Sequence, residues 1–287
     1  MKTVVLIGNT SAQLTYFANT IHKHHKVDLV IVEKKNSDLS TNPKSNEKKR
    51  KKHKISFLEK LLRYVLFRIE LKRKRKQQKD QQKKNADYYK SLFQRDYEEL
   101  NSEIFVLEVE DINSKKVENA IRKINPNLII DHGTSLVKPH IIDLAELSLN
   151  LHWGLSPYYR GVNCTNQALL NWDINNIGVT IHKLARKIDG GDILGQERVK
   201  VEPTDTIDRI TSRLTFEGVG VVIKAIDKLK KGETLNFKSQ DFNNGFLIRG
   251  INWDYNVQQH VNQIREDLLL EMINKPSRKP APIIKLE

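Results

Sequence analysis

The chain has 287 residues, 38% of them hydrophobic, and a net charge of +14, room for one large domain or a domain with an appendage. Its single cysteine, Cys164, excludes an intramolecular disulfide and suits a reducing compartment. No apolar run reaches the roughly 18 residues of a membrane span, and Met1 to Gly8 is strand-like rather than a signal peptide, so a cytoplasmic protein is expected.

In chain order, Lys2 to Gly8 is a buried strand ending at a glycine turn, Ala12 to Lys23 a helix, and Val27 to Val32 a second strand. This opening predicts a parallel sheet. Asn9, Thr10 and Ser11 offer hydroxyls and backbone N–H groups at the helix start, which suits either an anion site or an ordinary cap.

The alternation breaks at Lys34. Residues 34–90 hold 21 Lys/Arg against 6 Asp/Glu, while the rest of the chain has 28 against 29. The basicity therefore belongs to one insertion, and the remaining chain has no nucleic-acid footprint. Within it, Phe57, Leu58, Leu61, Leu62, Val65, Leu66 and Ile69 recur at helical spacing between basic runs at 48–54 and 72–84. Such a cationic amphipathic helix fits a solvated face packed on the domain, a peripheral contact with anionic membrane at the inner surface, or a partner helix. Few aromatics accompany the basic runs, which disfavours RNA.

The alternation resumes with a strand at Ile104–Val109, a helix at Lys115–Ile124, a short buried strand at Leu128–Asp131 and a proline-started helix at Pro139–Leu144. A strand then runs to Asn150 and His152. Successive strand side chains alternate faces, so the two point the same way. A carboxamide donor and an imidazole aimed at one point are the minimum equipment for handling an oxyanion. Next come a helix at Asn166–Trp172, strands at Val179–Lys183 and Ile193–Val199, and a long helix at Thr206–Lys231. The catalytic domain is expected to span 1–232 around the insertion at 34–90. Residues 233–287 form a C-terminal extension with a helix near Val257–Asn274, and this tail offers material for a homodimer contact. The expected fold is α/β: a Rossmann-like, mostly parallel sheet with helices on both faces.

Three motifs occur in order: Asn150-Leu-His152 followed by Pro157 and Arg160-Gly161; Gly178-Val-Thr-Ile-His182; and Ile188-Asp189-Gly-Gly-Asp192. Together they resemble the 10-formyltetrahydrofolate-dependent formyltransferases. The resemblance covers about residues 100–232 well and 1–33 more loosely, and it does not extend to 34–90. The Gly154-Leu155-Ser156-Pro157-Tyr-Tyr-Arg-Gly form is most similar to the bacterial enzymes that formylate amino sugars.

The resemblance implies catalytic roles for three residues. Asn150 would donate to the oxyanion, His152 would move protons, and Asp189 would orient His152 and raise its pKa. It also implies a folate pocket lined by Ser135, Leu136 and Val137 and by Ala185, Arg186, Lys187 and Ile188. The formyl donor would be 10-formyltetrahydrofolate and the acceptor a nucleotide-linked amino sugar for surface polysaccharide. A methionyl-tRNA formyltransferase is the alternative enzyme, weakened by a tail too short for that family's C-terminal barrel. A membrane- or RNA-associated protein with a relic fold is the non-enzyme alternative. His132 and His182 read as packing or supporting residues. No His/Cys/Asp cluster has metal spacing, so no metal is implied.

Overall fold

The computed structural model describes residues 1–34, 85–243, 245–250 and 266–286, together with Arg68, Lys72, Lys76, Asp80, Lys83, Trp253, Val257, His260, Val261 and Ile264. The chain divides into two compact units, one of residues 1–35 with 92–287 and one of residues 36–91. The second unit is described over 85–91, which is helical, and at the five single positions between 68 and 83. The amphipathic repeat at 57–69 and the basic runs therefore lie almost entirely outside the described residues. Among the described residues, no helix is long and apolar enough to cross a membrane.

The first unit is built on a seven-stranded sheet in the order β3-β2-β1-β4-β5-β7-β8. Strands β1 (Thr3–Ile7), β2 (Leu29–Glu33) and β4 (Leu128–His132) are buried along their whole length. Their sequences, TVVLI, LVIVE and LIIDH, are near-continuous apolar runs, as expected of strands covered on both faces. With β3 (Val106–Val109) and β5 (Leu147–His152) they run parallel. Beyond β5 the direction reverses, and β7 (Gly178–Lys183) and β8 (Ile193–Arg198) pair antiparallel.

Helices cover the faces. In α1 (Ala12–His24), the buried Gln13 side chain donates to Asp208 on α5 (Ile207–Lys230), 2.8 Å away. Helix α2 (Lys115–Ile124) buries Val117 and Ile121, spaced i and i+4, in a core with Val4, Leu6, Ile31 and Ile129. Helix α3 (Pro139–Ile142) starts on proline as expected.

Most boundaries move by a residue or two. The first strand after the insertion begins at Val106 rather than Ile104. Helix α4 (Cys164–Leu170) begins two residues early and stops before Trp172, whose φ of 55° leaves the helical region. Helix α5 starts at Ile207 because the Thr206 hydroxyl caps it, accepting from the Arg209 N–H at 3.2 Å. Two short strands were not expected: β6 (Tyr159–Gly161) and β9 (Phe246–Ile248), which pair in parallel. The expected helix at 257–274 is interrupted, since Ile264 is not helical, and α6 covers only Glu266–Asn274. The chain end returns to the sheet edge, where the Gln196 N–H donates to the Ile284 carbonyl at 2.7 Å.

Candidate active site

Strand β5 delivers Asn150 and His152 to the carboxyl end of the sheet, both buried, at 9% and 7% exposure. Strand β7 lies beside it in antiparallel register, with His182 opposite Asn150 and Thr180 opposite His152. Directly opposed residues share one face of a sheet. His182 therefore joins the cluster, on the supporting side of the packing or supporting role read from sequence. The loop after β7 turns back and brings Asp189 onto the same point.

Asp189 is the hub. Its Oδ2 accepts the Gly161 N–H at 2.6 Å and lies 3.6 Å from His152 Nδ1, while Oδ1 accepts from Asn150 Nδ2 at 3.3 Å. Burial works to raise the Asp189 pKa, but His152, His182 and the Gly161 N–H together outweigh it and hold the carboxyl well below the ordinary carboxylate range. The group is an anion at any physiological pH.

His182 Nδ1 lies 2.7 Å from the Lys183 carbonyl. A carbonyl only accepts, so Nδ1 carries a proton. Nε2 lies 3.2 Å from Asn150 Nδ2 and 3.5 Å from Asp189 Oδ1. The Asn150 amide is thus placed between His182 and Asp189.

His152 sits between two acceptors, with Nε2 3.1 Å from the Tyr159 carbonyl and Nδ1 facing Asp189. A neutral ring can donate to only one of them, whereas the imidazolium satisfies both. Burial pushes the His152 pKa down; Asp189 and the Tyr159 carbonyl act upward but do not overcome it, and His182 and Arg160 push further down. Asp189 acts upward on the His152 pKa in the expected direction, and burial exceeds it. The resting ring is neutral, with a place prepared for a second proton.

The loop after His152 is tightly fixed. The buried Thr180 hydroxyl donates to the Gly154 carbonyl at 2.7 Å and accepts from the Ser156 N–H at 2.9 Å and Gln196 Nε2 at 3.0 Å. A side-chain carbon at Gly154 would lie 2.3 Å from His152 Nε2 and 2.7 Å from the Tyr159 carbonyl, so only glycine fits. Gly161 is equally constrained, with φ at 93° and the Ile248 carbonyl 2.0 Å from where its Cβ would be.

A cavity of about 760 Å³ opens over the cluster, within the usual range for ligand sites. Asn150, His152, His182 and Asp189 line it. Of the residues expected to hold folate, Ser135, Leu136, Val137, Ala185 and Ile188 line it too. Arg186 and Lys187 do not: both are exposed, and the Lys187 ammonium stands 3.2 Å over the Phe242 ring. Leu136, Val137, Leu184, Ala185 and Ile188 give the cavity an apolar flank beside the polar cluster. A flat, partly apolar ring system with one reactive group at its end fits this division, so the residues present suit a folate.

His132 also lines the cavity but is isolated. Its Nδ1 bonds the Leu151 carbonyl at 2.9 Å, and Nε2 has no partner among the described residues. Phe17 and Trp153 meet its ring edge-on, and burial pushes its pKa down to about 3. Sequence reasoning missed the Tyr159 carbonyl, the Gly161 N–H and the Thr180 hydroxyl. The first two are backbone groups with no residue signature. The third was legible only in that Thr180 and His182 share one face of their strand.

The profile of the formyl transferase family matches residues 1–226. A bifunctional polymyxin resistance protein, ArnA, from Wigglesworthia glossinidia brevipalpis is 29% identical over 58% of this chain and 26% of its own length. A methionyl-tRNA formyltransferase from Thermotoga maritima is 31% identical over 48% of this chain and 44% of its own length. The chain thus matches less than half the length of these curated relatives. Among solved structures, a 4-N formyltransferase from Francisella tularensis superposes with a TM-score of 0.51 at 16% identity, covering 92% of this chain and 87% of that one. An N-formyltransferase from Helicobacter canadensis, solved with folinic acid and dTDP-3-aminofucose, gives 0.50 at 16% identity, covering 88% and 72%. At these identities the likeness establishes the fold.

Proposed function

This chain belongs to the formyl transferase family, and from that premise we propose that it moves a formyl group from 10-formyltetrahydrofolate to the amine of a nucleotide-linked amino sugar. The observation that carries the reading is the convergence of Asn150, His152 and Asp189 in one cavity with a fitting apolar flank. When bound, the folate supplies an activated one-carbon unit whose carbonyl carbon an amine can attack.

His152 is the proton acceptor. Neutral at rest, with its proton on Nδ1 toward Asp189, it takes the proton that the attacking nitrogen must lose on Nε2, which turns from the Tyr159 carbonyl to meet it; the imidazolium then donates to Asp189 Oδ2 and, on turning back, to the Tyr159 carbonyl. General base catalysis of this kind contributes about 10² to 10⁴ in rate. Asp189 stays ionised throughout and offsets the cost of a buried positive charge. The Asn150 amide faces the same point, and turning one N–H from His182 or Asp189 toward the negative oxygen makes it an oxyanion donor, worth about 10² to 10³. The proton then passes from His152 to the departing folate nitrogen as its bond to the formyl carbon breaks, which restores the neutral ring.

Two lines support an amino-sugar acceptor. One is the Gly-Leu-Ser-Pro-Tyr-Tyr-Arg-Gly form of the motif. The other is the fold likeness to enzymes whose names specify sugar or N-formyl transfer. Methionyl-tRNA is a second reading, favoured by the 31% identity to the Thermotoga maritima enzyme. One screen separates them. The protein is incubated with 10-formyltetrahydrofolate and either a panel of nucleotide-linked amino sugars or charged initiator tRNA, and products are read by mass spectrometry. A gain of one formyl group on a sugar supports the first reading and a gain on the tRNA the second. Transfer to neither, by a folded protein, ends both.

A further inference from the structure

The family match stops at residue 226, yet the chain beyond it holds both loops of the site. Lys238 and Ile193 exchange backbone hydrogen bonds at 2.7 and 2.8 Å, just after the Asp189 loop. Strand β9 pairs with β6, setting Ile248 beside Gly161, whose N–H binds Asp189. Between these two attachments, Gln240 Nε2 donates to the Asp189 carbonyl at 2.9 Å and to the Gly191 carbonyl at 2.6 Å. Its Oε1 has no partner among the described residues, so the amide acts through its donor end alone.

Asp189 needs such a restraint. Its φ is 43°, in the left-handed region that a non-glycine residue keeps only where its surroundings impose it. The loop's own backbone bonds, Gly190 N–H to the Lys187 carbonyl and Lys183 N–H to the Asp192 carbonyl, both at 3.0 Å, close the turn but leave the Asp189 carbonyl to Gln240. Phe242 adds a second tether, with Arg160 from the β6 side and Lys187 from the Asp189 loop both over its ring, at 4.3 and 3.2 Å. Without these contacts the Asp189 loop would be joined to β6 mainly through its own carboxylate.

We propose that Gln240, outside the family match, is a positioning residue that fixes the Asp189 backbone so that its carboxylate meets His152 and the Gly161 N–H together. This rests on the reading of Asp189 as the group that supports His152. The C-terminal extension is then a working part of the site rather than an appendage.

The test is an NMR titration of the imidazole nitrogens in the full chain, with His152 assigned by the loss of its signals in His152→Asn. Asp189, His182 and Arg160 face His152, and His132 lies on the neighbouring strand. Asp189→Asn sets the scale, because removing the carboxylate lowers the His152 pKa. Gln240→Met, close in size but without donors, is expected to give at least about half of that lowering. With an amine acceptor, kcat is expected to fall about ten- to a hundredfold while KM for the formyl donor stays within about twofold. Gln240→Asn, one methylene shorter, serves the same purpose if the methionine variant melts early. A Gln240 variant that titrates and turns over like the wild type, beside a shifted Asp189→Asn, overturns the proposal. An unshifted Asp189→Asn instead removes the role given to Asp189 itself.

Discussion

Strands β4 and β5 lie side by side and present nearly the same chemistry to one cavity. The first ends in Asp131-His132 and the second in Asn150-Leu151-His152, with Asp131 and Asn150 in register. Both imidazoles are buried, at 2% and 7% exposure. His132 has one carbonyl partner and two aromatic neighbours, so an added proton would have nowhere to be shared. His152 faces a carboxylate on one nitrogen and a carbonyl on the other. The strand decides where a ring stands, and the loops that reach it decide whether it can hold a proton.

The sharpest way to break this comparison is to replace each ring in turn. His152→Asn should lower formyl transfer by at least about 10² to 10⁴, measured as tetrahydrofolate release, with the melting temperature little changed. Asp189→Asn should cost a similar factor, because it leaves the imidazolium one buried acceptor short. His132→Gln should stay within a few-fold of wild type. Equal losses at His132 and His152 would mean that the partners do not distinguish the rings. Gly154→Ala comes next. The added methyl would stand 2.3 Å from His152 Nε2, so the ring or the loop must shift, and a loss of about ten- to a hundredfold in kcat is expected. Full activity in that variant would show that the ring's position is not critical.

The same contrast explains what could be read from the sequence. The strands were legible because their apolar runs are short, continuous and bounded by turns, and Asn150 and His152 followed from strand alternation. Asp189 came from the motif order. What escaped was carried by backbone: the Tyr159 carbonyl, the Gly161 N–H and the two short strands that pair there. His182 was read as packing or supporting, and choosing between the two depends on antiparallel register with Asn150, which no local pattern encodes. Gln240 escaped for a similar reason, since a glutamine in a loose tail has no signal until its two carbonyl partners are in place. The side chains of Arg186 and Lys187 stand outside the cavity lining, and a loop, unlike a strand, has no period to say which side chains face inward.

Two pH measurements sharpen the comparison further. His152 must be neutral to accept a proton, and burial places its pKa below the ordinary imidazole value of about 6.5. Activity is therefore lost as pH falls through a value below about 6.5, and the acidic limb of kcat/KM should lie there. A limb well above it would mean that Asp189 outweighs burial.

His132 should act on stability alone. Its folded pKa is about 3, against about 6.5 when unfolded. Between these values the unfolded chain binds a proton that the folded chain refuses. Stability from this residue is complete above the unfolded value and drains away as pH falls, by up to about 1.4 kcal/mol per pH unit. In His132→Gln, which cannot titrate, denaturant unfolding should show a flatter fall between pH 6 and 4 (about two units inside the window). Lost packing against Phe17 and Trp153 lowers the whole curve without changing its slope. An unchanged slope would mean that the folded protein accommodates a proton at His132 after all, and the two rings would then differ less than their partners suggest.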